Sequence, residues 1–215
     1  MKTLALLARK GGAGKTTLAV HLAVIAVQAG KRVLLVDTDP QRSTAAWWRS
    51  READTPELVE CDASRLPDIL RAAQADGVDL AVVDTRPSVE ADTATIARMA
   101  DLVLIPSRPS ILDLRAIAAT VEVVLATNRP AANVLNAVLA PRDGEESPQA
   151  AEARQALTAY GIPVAPVAVG NRVALGHALV DGRAVTEFDP TGKASAELQS
   201  LFRFVENHLW ANAQH

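Results

Sequence analysis

The sequence holds a single cysteine, Cys61, among 215 residues. No disulfide can form within one chain, and a cysteine-rich metal site is excluded with it. The four histidines, His21, His177, His208 and His215, show no metal-ligand spacing. Aromatic residues make up only 3% of the chain, while apolar residues as a whole make up 49% and are mostly Ala, Val and Leu. Helices packed on a Val-rich parallel sheet have this composition. No apolar run approaches the roughly 20 residues that span a bilayer. The short run at residues 4–8 falls below the apolar core of a signal peptide, about 7–15 residues. Positive charge is not in excess either: 22 Lys and Arg face 25 Asp and Glu, for a net charge of −3. A globally basic nucleic-acid binder is excluded. A local basic patch, or one assembled by oligomerisation, is not. Charged residues at 22% argue against intrinsic disorder. A soluble, cytoplasmic protein is expected, folded as one domain over residues 1–215.

What is present is an alternation. Apolar runs at residues 3–8, 32–37, 80–84 and 102–106 each end in a loop, a polar residue or a proline, and read as buried strands. Residues 133–139 and 164–169 are further strand candidates. Between them lie helical stretches at 15–29, 64–75, 91–100, 112–127 and 148–160. Apolar strands alternating with helices predict an α/β fold, a mostly parallel β-sheet flanked by helices on both faces. Residues 141–148, with Gly, Pro and the acids Asp143, Glu145 and Glu146, read as a surface loop. Ligands of such a sheet bind at the carboxyl ends of the strands. Residues 10–17, 37–41 and 84–88 therefore matter most.

The first of these follows a strand and opens a helix: Arg9-Lys10-Gly11-Gly12-Ala13-Gly14-Lys15-Thr16-Thr17. A phosphate loop requires that context. Glycines let successive backbone N–H groups curl around a phosphate, and the helix N-terminus adds its dipole. Lys15 would reach the β- and γ-phosphates, and the Thr16 hydroxyl would hold Mg²⁺. Arg9 stands where the strict pattern has its first glycine, and Lys10 follows it. Lys10 to Thr17 resembles the deviant Walker A motif, K-G-G-x-G-K-[ST], of the ParA/MinD family of ATPases.

The resemblance implies a deviant P-loop NTPase (SIMIBI-type) fold. It implies ATP and Mg²⁺ as cofactors, with Lys10, Gly11, Gly12, Ala13, Gly14, Lys15, Thr16 and Thr17 holding the nucleotide. It also implies that Lys10 reaches across an ATP-sandwich homodimer to the partner's phosphates. Asp37-Thr38-Asp39-Pro40-Gln41 is similar to the family's second motif. On that likeness Asp39 positions the attacking water and Asp37 lies near Mg²⁺ or a switch. Residues 80–85 have a Walker B shape, an apolar strand delivering Asp84 to Mg²⁺. Arg86 departs from the family's D-T-P-P. It could meet the γ-phosphate, pair with Asp39, or face solvent. Residues 105–114 resemble the family segment P-x-x-P-S-x-x-D, and Asn171–Ala174, Gly182–Glu187 and Gly192–Ala194 resemble the tail of small, ParF-like ParA proteins. The adenine contacts stay unassigned.

The function so implied is a slow, partner-stimulated ATPase. It would bind DNA non-specifically as the ATP dimer and segregate plasmid or chromosomal DNA, or position another cargo. A ParB-like or other adaptor would be its partner. It would be cytoplasmic, and nucleoid-associated when ATP-bound. No residues precede the first strand, so an N-terminal helix-turn-helix extension is not expected. Residues 140–215 hold six Lys and Arg against nine Asp and Glu, so bulk charge does not single out a DNA face. Arg172, Arg183, Lys193 and Arg203 are the candidates, each equally readable as a solvated charge. Trp47 and Trp48 read as packing or dimer surface. Apolar residues at 198, 201, 202, 205 and 209 have helical spacing. With Glu197 and Glu206 on its polar face, that helix reads as docked on the core, and no membrane contact is expected. Two alternatives remain. One is a MinD-like membrane cycle or a DNA-transfer accessory ATPase. The other is a carboxylate-activating enzyme of the dethiobiotin synthetase kind, against which Lys10 argues.

Overall fold

The computed structural model describes residues 1–87, 90–139 and 146–210. Ser88, His215 and most of the acidic loop expected at 141–148 lie outside them. The described chain runs β1 (Lys2–Leu6), α1 (Lys15–Gln28), β2 (Val33–Asp37), α2 (Ser43–Arg49), β3 (Glu57–Glu60) and a 3-10 turn (Ala63–Arg65). It continues through α3 (Leu66–Ala75), β4 (Leu80–Asp84), α4 (Glu90–Met99), β5 (Leu102–Ser107), α5 (Ile111–Leu125) and β6 (Ala131–Val138). It ends with α6 (Pro148–Thr158), β7 (Val169–Gly170), α7 (Val173–Val180), α8 (Val185–Phe188) and α9 (Lys193–Trp210).

The strands pair in the order β3-β2-β4-β1-β5-β6-β7, and every pairing is parallel. The α/β expectation is met, with a sheet parallel throughout its described strands. Successive strand residues point to opposite faces. Leu4, Leu6, Val33 and Leu35 therefore join α1, α7, α8 and α9 in one apolar layer. Ala5, Leu7, Leu34 and Val36 join α3, α4, α5 and α6 in the other. Both faces are covered, which is why these strands read as unbroken apolar runs. α9 buries Leu198, Leu201, Phe202, Val205 and Leu209, the spacing the sequence predicts.

Register decides where the chemistry falls. Leu6 pairs with Asp84, and Asp84 pairs with Asp37, so three strands end level. That single line of the sheet presents the phosphate loop, the Walker B aspartate and the second motif together.

The strand expected at 164–169 is shorter in the structure. Only Val169–Gly170 forms β7, and Val164 contributes one isolated bridge to Asn133. Pro163 and Pro166 interrupt that stretch, and proline has no N–H for a ladder.

Candidate nucleotide-binding site

The phosphate loop leaves β1 and enters α1 through two glycines in left-handed conformation, Gly12 at φ +74° and Gly14 at φ +98°. The start of α1 has no side-chain cap and no acidic residue in its first turn. Its N–H groups and positive dipole end are thus left for an anion. A Cβ on Gly14 would meet the Asn136 amide nitrogen at 2.0 Å. The room is used: Asn136, buried at the end of β6, donates from Nδ2 to the Ala13 carbonyl at 2.8 Å. This pins the loop from the far side. No sequence signal marks that contact, since the two residues are 123 positions apart.

Lys15 is buried, with 6% of its surface exposed. Burial lowers its pKa, and Asp84 and Asp39 pull the other way. A bound polyphosphate would supply the counter-charge this ammonium lacks.

Asp84 lies at the centre. Its Oδ2 accepts from Thr16 Oγ1 at 2.7 Å and from Thr44 Oγ1 at 2.6 Å. Its Oδ1 is buried without a partner. Burial pushes its pKa up to about 6, against the two hydroxyl donors. An orphaned buried carboxylate oxygen beside a phosphate-loop hydroxyl is the donor set a hard cation takes. Among the described residues no cluster of three His, Cys, Asp or Glu side chains gathers for a metal. Mg²⁺ needs none, because it keeps several waters and binds through one or two carboxylates plus phosphates. Asp84 and Thr16 therefore fit Mg²⁺.

Asp37 is placed differently. Its Oδ1 accepts from the Asp39 N–H and its Oδ2 from the Ala45 N–H, each at 3.0 Å. Both oxygens are spent on the turn and on the first turn of α2. Its pKa is raised by burial despite those two bonds. Asp39 is half-buried, and its Oδ1 accepts from the Gln41 N–H at 2.9 Å. Thr38 donates from both its N–H and its hydroxyl to the Asp84 carbonyl, at 3.0 and 2.9 Å, locking β2 to β4. Thr44, which no motif flags, ties α2 to the Asp84 carboxylate.

Lys10 pairs with Asp113 Oδ2 at 2.8 Å, and Asp113 is 7% exposed. Burial alone would raise the Asp113 pKa. The Lys10 ammonium and the Ser110 hydroxyl outweigh it and hold the carboxyl below its usual range. Arg86 pairs with Asp92, not with Asp39.

The candidate DNA contacts differ in their surroundings. Arg172 is half-buried and ion-paired with Glu197. Arg183 pairs with Asp181 and lies over the Phe188 ring. Lys193 and Arg203 are exposed on α9, ten residues or roughly 15 Å apart along the helix. Trp47 is a packing residue, buried, with its indole N–H on the Arg183 carbonyl at 3.2 Å.

The family model "CobQ/CobB/MinD/ParA nucleotide binding domain" matches residues 4–185. A protein named "Maintenance of carboxysome distribution protein A" from Gloeobacter kilaueensis is 35% identical over 211 residues, covering 97% of this chain and 94% of the relative. The "Chromosome-partitioning ATPase Soj" of Thermus thermophilus is 28% identical over 94% of each chain. Among solved structures, apo McdA from Cyanthece superposes with a TM-score of 0.77 at 17% identity, over 97% of this chain and 99% of that one.

Proposed function

The chain belongs to the CobQ/CobB/MinD/ParA nucleotide-binding family, and from that premise we propose that it is a ParA-type, Mg²⁺-dependent ATPase that positions a cargo. The observation that carries this is the Asp84 carboxylate, level with the phosphate loop, with one oxygen on Thr16 and the other free. Lys15 charges the inner end of the loop. Thr16 and Asp84 hold Mg²⁺, which when bound neutralises phosphate charge. Asp37 supports the turn that presents Asp39, and Asp39 orients the attacking water. Asn136 fixes the loop carbonyl at Ala13. Hydrolysis is slow and serves as a timer.

ATP closes a homodimer in which Lys10 reaches the partner's phosphates. In the structure Lys10 sits on Asp113, so that reach requires the pair to break. The names of two relatives, for carboxysome distribution and for chromosome partitioning, support a role in cargo positioning. The ATP dimer would hold non-specific double-stranded DNA, with Lys193 and Arg203 the candidates that no described carboxylate pairs with. A ParB-like or other adaptor would stimulate hydrolysis and release it. The membrane-cycling alternative needs an apolar helix face, and α9 spends its own on the core. No described helix is long and apolar enough to cross a membrane.

The test is retention on non-specific duplex DNA with ATP, ADP and no nucleotide, across a salt series. Binding with ATP alone, lost in Lys10→Ala and at high salt, is the expected result. ATP-dependent dimers with no DNA binding in any state would sink the DNA-tethered cycle. ATP turnover that requires a small acid and no partner would favour the carboxylate-activating alternative.

A further inference from the structure

The outer rim of the phosphate loop carries a cation that none of the motifs accounts for. Arg108 follows β5 at the same edge of the sheet. A Cβ on Gly12 would lie 3.6 Å from Arg108 Nη2, so the guanidinium rests against the loop itself. Its backbone is fixed: the Arg108 carbonyl accepts from the Ser110 N–H at 2.8 Å and the Ser107 hydroxyl at 3.3 Å. Its side chain is exposed, and among the described residues no carboxylate forms an ion pair with it. Asp113, close enough to feel its charge, is already occupied by Lys10 at 2.8 Å. Besides Arg9 at its entrance, the loop has three cations in different situations. Lys15 is buried at the inner end, Lys10 is held by Asp113, and Arg108 lies free against the rim.

Position along the loop says which phosphate Arg108 would meet. The residues that open α1 cradle the inner phosphates. Gly12 lies toward the other end of the loop, the end that a bound nucleotide's terminal phosphate would face. A guanidinium offers a planar fork that matches two phosphate oxygens, where an ammonium offers a point charge. We infer that Arg108 contacts the terminal phosphate of a bound nucleoside triphosphate within its own subunit, and so sets the preference for triphosphate over diphosphate. This rests on the nucleotide reading given under Proposed function.

Calorimetric titration with Mg²⁺ and either a non-hydrolysable ATP analogue or ADP tests it on wild type, Arg108→Gln and Arg108→Lys, with Lys15→Ala as control. Arg108 is exposed, so both variants should fold. Arg108→Gln is expected to lose about tenfold in affinity for the triphosphate analogue and less than about twofold for ADP, with Arg108→Lys between it and wild type. Lys15→Ala should lose both ligands. Equal losses on both ligands in Arg108→Gln, or no loss on either, would overturn the assignment while leaving the nucleotide site intact. Wild type that binds neither ligand would refute the nucleotide reading itself, and the role of Arg108 with it.

Discussion

Two carboxylates, Asp84, fully buried, and Glu187, half-buried, are treated in opposite ways by their surroundings. Glu187 receives a guanidinium. Arg51 reaches its two oxygens at 2.8 and 2.7 Å, and the Ala184 N–H adds a bond at 2.7 Å. Burial alone would raise the Glu187 pKa, but Arg51 outweighs it and the carboxyl stays below its usual range. Asp84 receives two hydroxyls and no cation in contact, and burial pushes it up to about 6. Around Glu187 the charged groups are also engaged, while two neutral atoms, His21 Nε2 and Thr186 Oγ1, are buried without a partner. Arg51 donates to the Gly182 carbonyl at 2.9 Å and lies over the Trp47 ring, and Gly182 packs so close to Ser50 that a Cβ would meet its carbonyl at 2.4 Å. His21 Nδ1 accepts from the Val185 N–H at 3.1 Å. This region bolts α8 to α1 and to the end of α2. The phosphate-loop end instead keeps a desolvated Lys15, a raised Asp84 and an orphaned oxygen. Partners missing from the free chain at that end are the ones a magnesium nucleotide brings. A fold settles its charges where it needs rigidity and leaves them unsettled where it binds.

Substitutions can break this contrast. The largest effect is expected from Lys15→Ala, which should lower ATP hydrolysis by a factor on the order of 10²–10³, read by phosphate release. Arg51→Met should instead leave nucleotide affinity nearly unchanged. It should cost about 3 kcal/mol in urea unfolding, because Glu187 stays behind without its charge partner. Asp84→Asn should do the reverse, gaining about 2 kcal/mol of stability without ligand at pH 7.5 while losing Mg²⁺-dependent hydrolysis.

Acidity sharpens the same comparison. His21 is fully buried, and burial lowers its pKa to about 4 from 6.5. Above pH 6.5 it is neutral in both folded and unfolded chains. Between 6.5 and about 4 the unfolded chain takes a proton that the folded one refuses, so its contribution is lost as pH falls, by up to about 3 kcal/mol. Asp84 runs the other way. Its folded carboxyl takes a proton near 6 and its unfolded one near 3.8, so acidification across that window favours the fold. In wild type the two offset. In Asp84→Asn the His21 slope should no longer be offset by Asp84, with stability falling more steeply between pH 6.5 and 4.5. The smallest effect concerns Ala137, held at φ +54° where β6 shifts register beside Asn136. Ala137→Gly should raise stability by less than about 1 kcal/mol, as relief of the left-handed backbone is partly offset by unfolded-chain entropy.

The phosphate loop and β4 were legible because their signals are local: spacing in one, an unbroken apolar run in the other. α2, α7 and α8 were not foreseen; they have 7, 8 and 4 residues, too few turns for a period to show. β3 was missed because Glu57 and Glu60 break the apolar pattern of an edge strand. The site's long-range ties were illegible in principle. Lys10 with Asp113, Asn136 with Ala13 and Thr44 with Asp84 are set by strand register, and single-chain spacing carries none of it. The second motif was legible as a site, but not in its division of labour. Asp37 gives both oxygens to backbone N–H groups, and only the fold shows that Asp84 keeps one free.

Urea unfolding of wild type and Asp84→Asn, with and without Mg²⁺ and a non-hydrolysable ATP analogue, tests the central claim most directly. The account predicts that Asp84→Asn is the more stable protein without ligand and gains little from the magnesium nucleotide, while wild type gains by mass action. An Asp84→Asn protein less stable than wild type without ligand, yet equally stabilised by the magnesium nucleotide, would contradict it.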